Sequence, residues 1–222
     1  MTNINPANRA VLWDMDGVLV DSAEYHFLAW QDALRDLESH HLTEADFRQT
    51  FGQRNDTVLR NLFGEDYPDA RIASVADVKE AAYRQHVRER GIQLLPGVLH
   101  WLECLREAQW QQAVASAAPL ANVQAIVQAL GIGSYFAALT SAEDVTRSKP
   151  DPQVYLVAAE RVSTAPARSI VVEDAPAGTE GARRAGMACI GVLSSHPHLQ
   201  ADIVVKRLDE LPADAFEKLI HT

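Results

Sequence analysis

The chain changes periodicity at Leu95-Pro96-Gly97, and the pattern beyond that break fixes the fold class. Helix and strand signals alternate from there on. Helices are expected over 98–107, 121–130, 153–161 and 177–185, and strands over 112–115, 138–139, 169–172 and 188–193. Strands that alternate with helices form a parallel sheet covered on both faces. The apolar run Ala10-Val11-Leu12-Trp13 reads as one more strand of that sheet, although only helical patterns lie between Asp21 and Arg90. The expected class is therefore α/β, a Rossmann-like core formed by residues 1–20 and 95–222. Residues 21–94 form a helical domain inserted just after the first strand. Within the insert, Asp21 and Glu24 have the spacing of a capping box. Phe27, Trp30, Leu34 and Leu37 form one apolar stripe. Further helices are expected over 43–49, 55–63 and 75–90.

Chemistry-bearing side chains cluster where strands end. Asp14-Met15-Asp16-Gly17 follows the first strand, at the edge of an open α/β sheet where ligands bind. Asp14 at the strand tip can attack a phosphorus or hold a metal. Asp16, two residues on, can handle a proton, and Gly17 permits a sharp turn. A second strand ends at Ala115-Ser116, where the Ser116 hydroxyl can either donate to a phosphoryl oxygen or cap the next helix. Ala117 beside it leaves room for a ligand oxygen. In Ser148-Lys149-Pro150-Asp151-Pro152 the two prolines stiffen the backbone around Lys149, whose compact charge suits a phosphoryl group. Ile170-Val171-Val172 ends in Glu173-Asp174. Adjacent carboxylates repel, so a cation between them and the acids at 14 and 16 is expected. An oxygen-only donor set selects a hard ion, with Mg²⁺ the first choice. Asp174 as a helix cap is the structural alternative.

Composition narrows the partners. The net charge of −10 argues against a nucleic-acid surface. No apolar stretch is long enough to span a bilayer, and residues 1–9 carry no signal-peptide pattern. The two cysteines, Cys104 and Cys189, read as buried thiols, and a cytoplasmic location is expected. His40-His41 and His196-x-His198 have no partner cluster and read as surface residues.

Asp14-x-Asp16-Gly17, Ser116, Lys149 and Glu173-Asp174, in that order along the chain, resemble the motifs of the haloacid dehalogenase superfamily. The inserted helical domain is similar to the cap of its subclass with an insertion after the first strand. The resemblance implies that Asp14 is a nucleophile forming an aspartyl-phosphate and that Asp16 is the general acid and then base. Ser116 and Lys149 would hold the phosphoryl oxygens. Asp14, the Asp16 carbonyl and Asp174 would bind Mg²⁺, with Glu173 in support. Dehalogenases of the superfamily lack the second aspartate, so Asp16 speaks for phosphoryl chemistry.

Within the insert, the stretch from Asp21 to Trp30 and the loop Phe51-Gly52-Gln53-Arg54-Asn55-Asp56 resemble those of β-phosphoglucomutases and their phosphatase relatives. That implies a substrate-binding set of His26, Arg54 and Lys79, with Gly17 and Ala117 completing it. Ala117-Ala118-Pro119 after Ser116 is more like the sugar-phosphate phosphatases than the mutases. The expected activity is Mg²⁺-dependent hydrolysis of a small phosphorylated metabolite by a monomer, with a phosphosugar mutase as the alternative. A non-catalytic phospho-accepting protein is the alternative of another class, but it would need neither the insert nor Asp16.

Overall fold

The computed structural model describes residues 9–50 and 52–220. The signal-peptide reading of the N-terminus falls on residues 1–8, and Phe51 of the loop motif is likewise outside the described residues. In chain order, β1 (Ala10–Trp13) is followed by four helices: α1 (Ala23–Glu38), α2 (Glu44–Thr50), α3 (Asn55–Phe63) and α4 (Asp69–Arg90). Next come α5 (Val98–Glu107), β2 (Gln111–Ala115), α6 (Leu120–Leu130), β3 (Ala138–Thr140) and α7 (Gln153–Arg161). The chain continues through β4 (Ser169–Glu173), α8 (Pro176–Arg184), β5 (Ala188–Val192), β6 (Ile203–Val205) and α9 (Ala215–Ile220). It divides into two units, one reaching Asp21 and resuming at Ile92, the other spanning Ser22–Gly91. Among the described residues, no helix is long and apolar enough to cross a membrane.

The first unit is built on a six-stranded sheet in the order β3-β2-β1-β4-β5-β6, parallel throughout. Every residue of β1 is fully buried, as expected of a strand covered on both faces. Ala10 and Leu12 face a layer containing Tyr155 and Ala158 of α7 and Ala182 of α8. Trp13 belongs to an aromatic group in which the Phe216 ring lies 6.3 Å from Trp13 and 4.9 Å from Trp101. The buried indoles keep their polar atoms satisfied: Trp13 Nε1 donates to Gln112 Oε1 at 3.1 Å and Trp101 Nε1 to the Leu208 carbonyl at 2.9 Å. The topology turns at β1, which pairs with β2 on one side and β4 on the other. The carboxyl ends of these three strands therefore border one switch point, the place where open sheets bind ligands.

The second unit has its own core, formed by Trp30, Ala33 and Leu34 of α1 with Phe47, Val58, Leu59, Ile72 and Val75. Phe27 and Leu37 pack at its margin, completing the expected stripe. Two local expectations fail here. Asp21 and Glu24 do not form a capping box, because the cap position of α1 is Ser22 and Glu24 is engaged by Arg90 at 3.0 Å. A reciprocal pair of that kind occurs instead at Thr43 and Asp46. The helix expected over 75–90 begins at Asp69, directly after Pro68.

Other boundaries shift by a residue or so, and β6 and α9 are additions to the expected elements. Cys189 is buried as expected, whereas Cys104 is only partly so. Of the histidines read as superficial, His41 and His198 are exposed. His40 packs edge-on against Phe63 and is half-buried.

The close approach of α8 to β4 sets the position of Glu173. A Cβ on Gly178 would stand 1.9 Å from the Glu173 Cδ atom, so only glycine lets the first turn of α8 lie there. Gly178→Ala is expected to destabilise the fold by about 1–3 kcal/mol, the range for overpacking a tight interior. Gly133→Ala, whose Cβ would meet its nearest neighbour at 3.5 Å, should stay within about 0.5 kcal/mol of the parent. Urea unfolding of the two variants checks this; equal stabilities would contradict the assignment.

Candidate active site

Asp14 continues the ladder beyond β1, its N–H donating to the Val172 carbonyl at 3.0 Å. The chain then turns tightly: the Met15 carbonyl accepts from Val18, Leu19 and Val20, and Gly17 N–H donates to the Val20 carbonyl at 2.7 Å. Gly17 has a φ of +83°, and a Cβ there would stand 1.9 Å from Asp174 Oδ2. This glycine therefore serves two needs, a left-handed turn and the close approach of Asp174.

Lys149 reaches this strand end from the loop before α7, a loop pinned from within. Asp151 Oδ1 accepts from Gln153 N–H, Arg147 pairs with the other Asp151 oxygen, and Gln153 Oε1 accepts from the backbone of Thr146 and Arg147. The Lys149 ammonium lies 2.5 Å from Asp14 Oδ1 and 2.6 Å from Glu173 Oε1. Tyr155, fully buried on α7, donates its hydroxyl to the same Glu173 oxygen at 2.8 Å. The other Glu173 oxygen accepts from the N–H groups of Asp174 and Ala175 at 2.9 and 3.0 Å. Both oxygens of Glu173 are thus engaged by protein donors. The cap position of α8 is Ala175, with no side-chain cap bond, so capping does not account for Asp174.

Carboxylate oxygens of Asp14, Glu173 and Asp174 lie within 4.8 Å of one another, all three residues buried. Burial, together with the charges of Glu173, Asp174 and Asp16, pushes the Asp14 carboxyl well above the usual carboxylate range, while Lys149 opposes the shift. Asp174 rises to about 6 for the same first reason, burial, and then through Glu173; the Ser195 hydroxyl and Lys149 pull it down. Burial alone would lower Lys149, but Asp14 and Glu173 carry it well above its ordinary value. One ammonium faces several carboxylates here, and the remaining negative charge and oxygen-only donor set fit a hard divalent cation.

The neighbouring strand ends with Ser116, buried, whose N–H is taken by the Thr140 carbonyl and whose Oγ accepts from Ala118 N–H at 3.0 Å. The backbone N–H of Ser116 is therefore not a ligand donor. The cap position of α6 is Pro119, which removes the alternative reading of Ser116 as a cap. Ala117 is exposed on the loop that follows.

Three candidates lie in the helical unit. Lys79 is 4% exposed, in the middle of α4. Its ammonium is 2.8 Å from Glu80 Oε1 and 3.1 Å from His26 Nδ1, and it lies over the rings of Trp30 and Tyr83. Asn55 donates to the same Glu80 oxygen at 2.8 Å, and the His26 ring stacks on Tyr83 with centroids 4.2 Å apart. His26, Lys79, Glu80 and Asn55 thus form one polar group inside the second unit. Arg54, at the cap position of α3, is exposed and paired with Asp56 at 3.3 Å.

Sequence reasoning missed four contributors to the first unit's site. Tyr155 looked like any member of an apolar helix stripe, although a buried tyrosine requires a partner for its hydroxyl. Ser194 and Ser195 follow β5, and a parallel sheet brings that loop to the same edge as the other strand ends. His196, read as superficial, is half-buried with Nδ1 3.1 Å from the Asp174 carbonyl.

Comparison with known proteins bears on all of this chain's motifs together. The chain is 31% identical over 208 residues to the β-phosphoglucomutase of Bacillus subtilis, covering 91% of each chain. It is also 31% identical over 209 residues to hexitol phosphatase A of Escherichia coli, covering 91% of this chain and 93% of that one. The crystal structure of CbbY from Rhodobacter sphaeroides in complex with phosphate shares the fold with a TM-score of 0.87 at 23% identity, over 95% of this chain and 99% of that one. The model of the haloacid dehalogenase-like hydrolase family matches residues 11–192, which include the strand-end acids, Ser116 and Lys149. The chain belongs to the haloacid dehalogenase-like hydrolases.

Proposed function

We propose that the protein is a Mg²⁺-dependent phosphatase of small phosphomonoesters, sugar or sugar-alcohol phosphates first among them, working through a phosphorylated Asp14. The observation that carries this reading is Asp14 Oδ1 held 2.5 Å from the Lys149 ammonium at the switch point of the sheet. A carboxylate acts as a nucleophile without a separate base once positive charge holds it ionised. Lys149 opposes the burial that raises Asp14 but does not overcome it, so a cation bound beside Asp14 would complete that task. In the first half-reaction an Asp14 oxygen forms a bond to phosphorus as the ester P–O bond breaks. Asp16 delivers its proton to the departing alkoxide. In the second, ionised Asp16 takes a proton from water as the water oxygen attacks phosphorus, and the bond to Asp14 breaks to release inorganic phosphate. Lys149 and the Ser116 hydroxyl meet the charge that spreads over the phosphoryl oxygens in both steps.

Asp14 and Asp174, with the Asp16 carbonyl, are the groups we assign to Mg²⁺. Glu173, whose oxygens already serve Lys149, Tyr155 and two N–H groups, braces them. When bound, Mg²⁺ supplies the second positive charge that this acidic strand end lacks.

The relatives named above include both a mutase and a phosphatase at the same identity. Two features of this chain favour hydrolysis. Ala117 and Ala118 follow Ser116 where a mutase would use a cation for a second phosphate. The charge of Lys79 is already answered by Glu80 at 2.8 Å, which leaves His26, Lys79 and Arg54 better suited to the hydroxyls of a sugar or polyol than to a second dianion.

Asp14→Asn should fold normally and lose more than about a hundredfold in turnover of a generic aryl phosphate, as expected when a nucleophile is removed. Asp16→Asn should lose about a hundred- to ten-thousandfold, the range for general acid–base catalysis, while still binding phosphate. A tenth of the parent rate in Asp14→Asn would contradict the covalent route. Phosphorus NMR of β-glucose 1-phosphate with enzyme and Mg²⁺ should show growth of inorganic phosphate. Glucose 6-phosphate accumulating without comparable free phosphate would instead establish a mutase.

A further inference from the structure

We infer that Ser194 and Ser195, in the loop after β5, are positioning residues that fix Asp174 so that the metal site prefers Mg²⁺ to Ca²⁺. This deepens the phosphatase reading and rests on it. The Ser194 hydroxyl bridges two parts of the strand edge: it donates to the Gly17 carbonyl and lies 3.3 Å from Asp174 Oδ2. The Ser195 hydroxyl stands on the same side of Asp174 and helps hold its carboxyl down. Gly17, with no Cβ, lets Asp174 Oδ2 into the space where a side chain would stand, and Ser195 Oγ would be 2.9 Å from the same point. His196 Nδ1 completes the hold by bonding the Asp174 backbone carbonyl. One end of the Asp174 carboxylate is therefore occupied by the loop, its backbone is tied at a second point, and the Asp14 turn is tied to both.

The consequence follows from coordination chemistry. Mg²⁺ demands a small, near-ideal octahedron, whereas Ca²⁺ takes more oxygens at longer distance and accepts both oxygens of one carboxylate. With Oδ2 turned into the space left by Gly17 and lying against the Ser194 hydroxyl, Asp174 has its other oxygen to offer a cation. That arrangement suits the smaller ion and handicaps the larger. Removing the hydroxyls frees the second oxygen and loosens the carboxylate. Loss of groups that orient a ligand from behind costs about 10–100-fold in metal affinity, and the loss should fall on Mg²⁺ more than on Ca²⁺.

Both serines are exposed as whole residues, so their substitution does not open the core. Titration calorimetry with MgCl₂ and with CaCl₂, on metal-free protein without substrate, would be run on the parent, Ser194→Ala, Ser195→Ala, the double variant and His198→Ala. The double variant should bind Mg²⁺ about 10–100-fold more weakly, with Ca²⁺ affinity held or raised, so that the ratio of the two affinities falls at least about tenfold. His198→Ala, an exposed neighbour, should match the parent. A double variant whose Mg²⁺ to Ca²⁺ ratio equals that of the parent would overturn the inference while leaving the phosphatase reading intact. A parent protein that takes up neither ion would overturn both.

Discussion

The ammonium of Lys149, shared between Asp14 and Glu173, is the contact on which the rest of the site depends. Burying carboxylates side by side is unfavourable, and each would take up a proton unless an opposite charge held it ionised. Removing one member of such a buried set costs about 3–5 kcal/mol, because the charges left behind have no partner. The surrounding structure is arranged to keep that ammonium in place. Arg147, Asp151 and Gln153 brace its loop, and Tyr155 braces Glu173 from beneath. Gly178 lets α8 come close enough to direct two N–H groups at the other Glu173 oxygen.

The parallel sheet explains why these residues meet although they are far apart in sequence. Asp14 and Ser116 follow β1 and β2, Glu173 is the last residue of β4, and β1 pairs in register with both β2 and β4. Burial of Val11, Trp13, Val114 and Val172 therefore positions the catalytic groups as a by-product of forming the core. Stability and function share one set of contacts at this edge. The loop after β5 extends the same logic, since Ser194 and His196 reach Asp174 only because β5 runs parallel beside β4.

The parts legible in the sequence were those carried by local pattern. Fully apolar runs ending in Asp, Ser or Glu announced strands with functional tips, and prolines at 150, 152 and 176 marked loop and helix starts. What escaped was set by tertiary contact. Nothing in the local pattern around Lys79 signals its burial, which comes from Glu80, His26 and two aromatic rings packed about it. Ser194, Ser195 and His196 have no motif, and their importance arises from the strand order alone. The short strand β6 and helix α9 are too brief for periodicity to register, although α9 supplies the Phe216 ring at the centre of an aromatic group. The Asp21–Glu24 spacing was a false signal, because Arg90 claims Glu24.

The most direct test of the account is chemical trapping of the phosphorylated enzyme. Borohydride reduces an acyl-phosphate to the alcohol, which would convert Asp14 into homoserine and leave every unphosphorylated carboxylate unchanged. Protein quenched during turnover of a sugar phosphate with Mg²⁺ should yield homoserine at position 14 and at no other aspartate, with none in Asp14→Asn. Active enzyme quenched in the pre-steady state with no modification at position 14, or with the modification at Asp16 or Asp174, would contradict the role given to Asp14 and Lys149.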